Sequence, residues 1–94
     1  MKSLQDALYN WLTIYVVAQA RPDDAAAQET AAFFKEILKR DFNVTKVKVK
    51  KEAMYIVEYE KDGEEKSARF PTELIESMLK QIEEAPEKYR NYPL

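Results

Sequence analysis

Residues 44–52, VTKVKVKKE, set Lys46, Lys48, Lys50 and Lys51 into one short stretch with valines between them. Clustered ammonium groups are what a phosphate backbone requires of a protein surface, so this stretch is the first candidate for chemistry. Three pairs of adjacent carboxylates, Asp23-Asp24, Glu64-Glu65 and Glu83-Glu84, are the second. Paired acids can divide general-acid and general-base roles or hold a divalent cation. Both candidates also have an ordinary structural reading. Period-two spacing puts Lys46, Lys48 and Lys50 on the strand face opposite Val47 and Val49, and lysines on an edge strand discourage strand-to-strand aggregation. Adjacent residues on a helix point in different directions, and none of the acid pairs has the spacing of a calcium loop. Helix-end electrostatics and solvated faces account for them better.

Composition narrows the chemistry further. The 94 residues contain 15 basic and 17 acidic side chains, a net charge of −2, so the chain as a whole exerts no attraction on a polyanion. Cysteine and histidine are both absent. Their absence removes thiolate metal sites, thiol nucleophiles, the commonest acid/base residue and the commonest transition-metal ligand. A single glycine leaves no glycine-rich phosphate loop. With no nucleophile beside a base, the reading is of a non-enzyme with no catalytic residues, no cofactor, no metal site and no inferred small-molecule substrate.

A hydrophobic content of 46% in a chain of this length predicts one domain over residues 1–94 with one core. The N-terminal run LYNWLTIYVVAQA ends in Ala18-Gln19-Ala20, which has the small-x-small form of a secretory cleavage site. Only Lys2 precedes it, offset by Asp6, and Asn10 and Thr13 interrupt the apolar stretch. The run is also too short to span a membrane. The expectation is a soluble cytoplasmic protein.

Four groups of elements must position any site. In residues 1–20, Leu4, Leu8, Trp11, Leu12, Tyr15 and Val16 recur at helical spacing, although the β-branched residues of TIYVV keep a strand at 11–17 open as an alternative. Residues 22–41 read clearly as a helix, with Pro22 at its first position, Asp23 and Asp24 at its positive end, and Lys39 and Arg40 at its negative end. Its expected buried stripe is Ala27, Ala31, Phe34, Ile37 and Leu38, with Phe33 on the flank. Residues 44–70 predict three strands. Residues 72–85 predict a helix capped by Thr72, with Leu74, Ile75, Met78, Leu79 and Ile82 on its apolar face. Residues 86–94 form a tail whose Tyr89, Tyr92 and Leu94 could fold back over the core.

Asp62-Gly63 is the strongest hairpin signal, since a two-residue type I′ turn needs positive φ at both central positions. It sets Tyr55 against Phe70, Val57 against Ala68 and Tyr59 against Lys66 on one face. Ile56 then opposes Arg69 and Glu58 opposes Ser67 on the other. For the first hairpin, a two-residue loop at Lys51-Glu52 would pair Val47 with Ile56 and Val49 with Met54. A three-residue loop, Lys51-Glu52-Ala53, pairs Val49 with Tyr55, Val47 with Val57 and Lys46 with Glu58. The second register is preferred because it makes one continuous apolar face and opposes unlike charges.

The fold class that follows is α+β in the order α-α-β-β-β-α, a three-stranded antiparallel meander with helices packed on one face. Over residues 24–85 the order of elements resembles that of double-stranded RNA-binding domains. That resemblance implies a lysine cluster at the start of the final helix. Here the stretch is RFPTELIE, with Glu73 and Glu76 where phosphate would be repelled, leaving only the Lys50-Lys51 loop to play a comparable part.

The surface left over is the outer sheet face. It should carry Lys48, Lys50 and Arg69 at one end and Glu58, Glu60 and Glu65 at the other, with Met54 and Ile56 exposed among the bases. Apolar side chains framed by charge suit a docking surface. The first helix also has apolar residues outside its main stripe, Tyr9, Ile14 and Val17, which implies burial on two sides or contact with another chain. The expected function is therefore a non-catalytic protein-interaction or regulatory module, with a protein partner or a second copy of the chain. The alternative is a nucleic-acid-binding domain using Lys46–Lys51.

Overall fold

In the computed structural model, which describes residues 3–84, the elements follow the expected order. They are α1 (Leu4–Ala20), α2 (Ala25–Phe42), β1 (Val44–Lys51), β2 (Met54–Lys61), β3 (Glu64–Pro71) and α3 (Thr72–Glu84). The sheet is antiparallel with the order β1-β2-β3. The expected tail, with Tyr89, Tyr92 and Leu94, lies outside the described residues.

The segment with the strand alternative is helical throughout. Ser3 caps α1 by accepting a 3.1 Å hydrogen bond from the Asp6 amide. Leu8, Trp11, Leu12 and Val16 of α1 gather into one core with Tyr55, Val57, Tyr59 and Phe70 from the inner sheet face, and with Leu38 and Ile75. Tyr9, beside this core, lies 6.3 Å from Phe70 between ring centroids. On its other side, Ile14, Val17 and Ala18 form a second cluster with Ala27 of α2 and Ile82 of α3. The surplus apolar surface of α1 is thus consumed by burial on two sides, and β-branched residues sit in a helix because tertiary packing outweighs propensity differences of under about 1 kcal/mol each.

The second helix starts three residues later than the sequence suggests. Pro22 lies in the preceding turn, and Asp24 is the N-cap, its Oδ1 accepting from the Ala27 amide at 3.1 Å and its Oδ2 from Arg21 Nε at 3.2 Å. Gln28 Nε2 donates to the Ala18 carbonyl at 2.8 Å and ties the end of α1 to the start of α2. Ala27 is fully buried, so the two helices can approach closely there. Of the expected α2 stripe, Ala27 and Leu38 are buried, while Ala31, Phe34 and Ile37 are half-buried. Asn43 ends the helix at φ 56°, its N–H bonding the Leu38 and Lys39 carbonyls, as a left-handed C-terminal residue should.

The β2–β3 hairpin has the predicted turn and the predicted register. Asp62 and Gly63 have φ of 53° and 83°, and Tyr55↔Phe70, Ile56↔Arg69, Val57↔Ala68, Glu58↔Ser67 and Tyr59↔Lys66 are all partners. The β1–β2 hairpin differs from the preferred register by two positions, with Val49 opposite Val57 and Lys51 opposite Tyr55. A shift of two leaves every side chain on its expected face, so Val49 still joins the core side. The ladder then slips by one between Thr45 and Lys48, and Lys46 takes φ 52° in the resulting bulge.

Thr72 is the first residue of α3, not a cap that accepts from the helix. Its Oγ1 donates to the Ala53 carbonyl at 3.0 Å and fixes the start of α3 to the β1–β2 loop. Leu74, expected on the apolar face, is 49% exposed, while Ile75 and Ile82 are buried.

Candidate functional site

All three helices pack on the Tyr55-Val57-Tyr59 side of the sheet, so the opposite face is left to the side chains of its own strands. The register places the candidate residues Lys48, Lys50, Met54, Ile56 and Arg69 together there. Lys50, Ile56 and Arg69 form one cross-strand row. Lys48, Glu58 and Ser67 form the next row, and Met54 opposite Pro71 closes the end. Lys48, Lys50 and Arg69 are exposed, whereas Met54 and Ile56 are half-buried. Neither belongs to a core cluster, so no described helix covers them.

The charges on this face are largely matched. Lys50 Nζ lies 3.2 Å from Glu58 Oε1, and Lys46 Nζ lies 3.2 Å from Glu60 Oε2. Lys51 turns to the other side and bonds Glu76 Oε2 at 2.8 Å. Of the four clustered lysines, Lys48 has no ion pair among the described residues, and neither does Arg69 across the sheet. Solvent-exposed pairs contribute only about 0–1 kcal/mol each, but they cancel the local field that a polyanion would follow.

The start of α3 is organised for holding the fold. Glu76 accepts from Lys51 Nζ and, through a short hydrogen bond, from the Tyr55 hydroxyl, while Lys51 Nζ sits 5.6 Å from the Tyr55 ring centroid. The bonds from Lys51 and Tyr55 hold the Glu76 carboxyl below the usual range. Burial, reinforced by the adjacent carboxylate, pushes the Tyr55 phenol well above its ordinary value. A phenol held protonated is a poor nucleophile, so this trio reads as a clasp between sheet and helix. Glu76 therefore occupies Lys51, the lysine of the Lys50-Lys51 pair that turns toward α3.

An open depression of about 480 Å³ lies toward the hairpin end of the outer face, between Lys46, Lys48, Glu58, Glu60 and Glu65. Lys48 is the one candidate residue that lines it. Its walls are mostly charged side chains rather than an apolar enclosure with a few convergent polar groups, which small-molecule sites usually have. Among the described residues no group of three or more acidic, histidine or cysteine side chains is arranged to hold a metal. No described helix is long and apolar enough to cross a membrane.

Two large apolar side chains are exposed: Phe33, expected on the flank of α2, at 59%, and Leu74, expected on the apolar face of α3. The Phe33-Phe34 pair carried a signal, since adjacent helical residues cannot both face one core, and Phe34 is the one that packs inward. Comparison with known proteins finds no matching family model, no similar curated protein and no similar solved structure.

Proposed function

We propose that this chain is a non-catalytic protein-interaction module that receives an acidic partner segment, anchored by an apolar side chain, on the outer face of its sheet. The observation that carries this reading is the row Lys50-Ile56-Arg69 on a face that no described helix covers. Ile56 and Met54 supply apolar area, and Lys48 and Arg69 supply cationic groups without carboxylates of their own. Exposed bases at the rim with apolar groups at the centre match the anatomy of protein interfaces. A nucleic-acid role draws no comparable support, because three of the four clustered lysines already face carboxylates.

The test is affinity capture from native cells with the wild-type chain and the Ile56→Glu variant in parallel, each also titrated with denaturant. A partner retained by the wild type should be released by about 0.5 M salt, where charge attraction is screened beyond a few ångströms. It should be missing with Ile56→Glu, whose stability should stay within ~0.5 kcal/mol. Identical capture by both chains, or severe unfolding of the variant, would overturn the reading.

A further inference from the structure

The two edges of the sheet are not equivalent. On β1 the bulge at Lys46 interrupts the ladder. Bulges of this kind are how edge strands avoid pairing with other chains. On β3 every residue from Glu64 to Pro71 is in register with β2, with no bulge. No described strand lies beyond it, and Glu64, Glu65, Lys66, Ser67 and Arg69 are exposed.

The turn determines which backbone groups of β3 are free. In a type I′ two-residue hairpin the closing pair, here Lys61 and Glu64, exchanges both hydrogen bonds. Bonded and non-bonded pairs then alternate along the ladder. Glu64, Lys66, Ala68 and Phe70 therefore turn their amides toward β2. Glu65, Ser67 and Arg69 turn theirs toward the open edge, and their side chains all lie on the outer face, opposite Glu60, Glu58 and Ile56.

From this arrangement we infer that β3 pairs antiparallel with β3 of a second copy, about a two-fold axis at Ser67, to form a continuous six-stranded sheet. With Ser67 opposite its own copy, Glu65 of each chain faces Arg69 of the other. All free amides of Glu65, Ser67 and Arg69 then fall in bonding pairs, and both charged pairs across the axis are of opposite sign. The neighbouring registers lack this match. An axis at Glu65, Lys66 or Arg69 opposes like charges, which destabilises a cross-strand pair. An axis at Ala68 puts Pro71, which has no N–H, in a bonding position. Charge on this edge thus rejects other strands while admitting one register of its own kind. The inference goes beyond the docking proposal, since it concerns amides in the plane of the sheet and not the apolar side chains of β2.

The experiment is sedimentation of the full chain across a range of concentrations. A contact one strand wide is small, so the wild type should move from monomer to dimer at roughly micromolar to submillimolar concentration. Arg69→Glu and Glu65→Arg should each weaken dimerisation at least tenfold, and the double exchange should restore it. Ser67→Pro should abolish it while leaving the far-ultraviolet circular dichroism spectrum unchanged, because the lost amide points away from the fold. Ser67→Cys should cross-link to a dimer on oxidation, as opposed Cα atoms of a bonded pair lie about 5.5 Å apart. Ile56→Glu should leave the dimer intact even if it abolishes partner capture, which separates the two proposals. A chain that stays monomeric at every concentration would refute pairing, as would a dimer that Ile56→Glu dissolves or one in which the charge exchange fails to rescue.

Discussion

Val44 and Val47 both point into the core although they are three residues apart on one strand, because the bulge at Lys46 inserts an extra residue between them. In a regular strand residues separated by three lie on opposite faces. The cost is a lysine at φ 52°, a conformation that disfavours any residue with a Cβ by roughly 1–2 kcal/mol. Val44 is 2% exposed, so the bulge keeps a core side chain buried that a regular ladder would turn to solvent.

Lys46→Gly should therefore stabilise the fold by about 0.5–1 kcal/mol, since glycine adopts the left-handed region freely and the surface pair with Glu60 contributes little. Lys46→Val should destabilise it by more than about 1 kcal/mol, because a β-branched residue tolerates that conformation poorly. Chemical denaturation of the two variants checks the order. Equal stabilities would mean that the bulge has moved.

Gly63 has φ 83°, and a Cβ built on it meets no atom within 4 Å. Gly63→Val should cost about 1 kcal/mol or more through backbone strain alone, with no clash to relieve. Gly63→Asn should cost less, as asparagine enters the left-handed region more readily. Melting curves for the pair distinguish strain from lost packing.

The clasp at Glu76 gives acid sensitivity with a definite sign. Bonds from Lys51 and Tyr55 lower the Glu76 pKa in the folded state. Its contribution is present above the unfolded glutamate value and is lost as the pH falls through the lower, folded value. Denaturant titrations across the acid range should show this loss, and Glu76→Gln should flatten it. Tyr55→Phe, which removes a hydrogen bond to a charged group, should cost about 1.5–3 kcal/mol at neutral pH. If Glu76→Gln leaves the acid limb unchanged, the clasp does not form in solution.

Duplex RNA and DNA should bind negligibly at physiological salt, given the net charge of −2 and the carboxylates paired with Lys46, Lys50 and Lys51. Fluorescence anisotropy with labelled duplexes checks this. A salt-sensitive, sub-micromolar complex lost on combined replacement of Lys48, Lys50 and Lys51 by glutamate would contradict it.

The parts of the fold legible in the sequence are those decided by local chemistry. Asp62-Gly63 permits one tight turn, and that turn propagates a register through all of β2 and β3, including the row that brings Ile56 beside Arg69. Hydrophobic period separates the helices from the strands, and it places Lys46, Lys48 and Lys50 of β1 on the wet side. The first hairpin was less legible because Lys51-Glu52-Ala53 contains no residue that demands a particular turn. The bulge did leave a trace, in the three-residue step from Val44 to Val47 against the two-residue step from Val47 to Val49.

Tertiary structure alone decided where α1 lies. Its sequence shows apolar residues on more than one side but cannot say whether another helix or another molecule covers the second side. The fold resolves this within the chain, with Ala27 and Ile82 closing over Ile14 and Val17. The same packing leaves the outer face of the sheet to Met54, Ile56 and their charged neighbours. It also turns Lys51, five residues from Lys46 in sequence, away from the lysine cluster and onto Glu76, 25 residues away. Alternation and turn propensity act over a few residues, so they determine which face a side chain occupies. Which of two apolar faces receives a helix depends on contacts between residues far apart in the chain, and no local pattern encodes that choice.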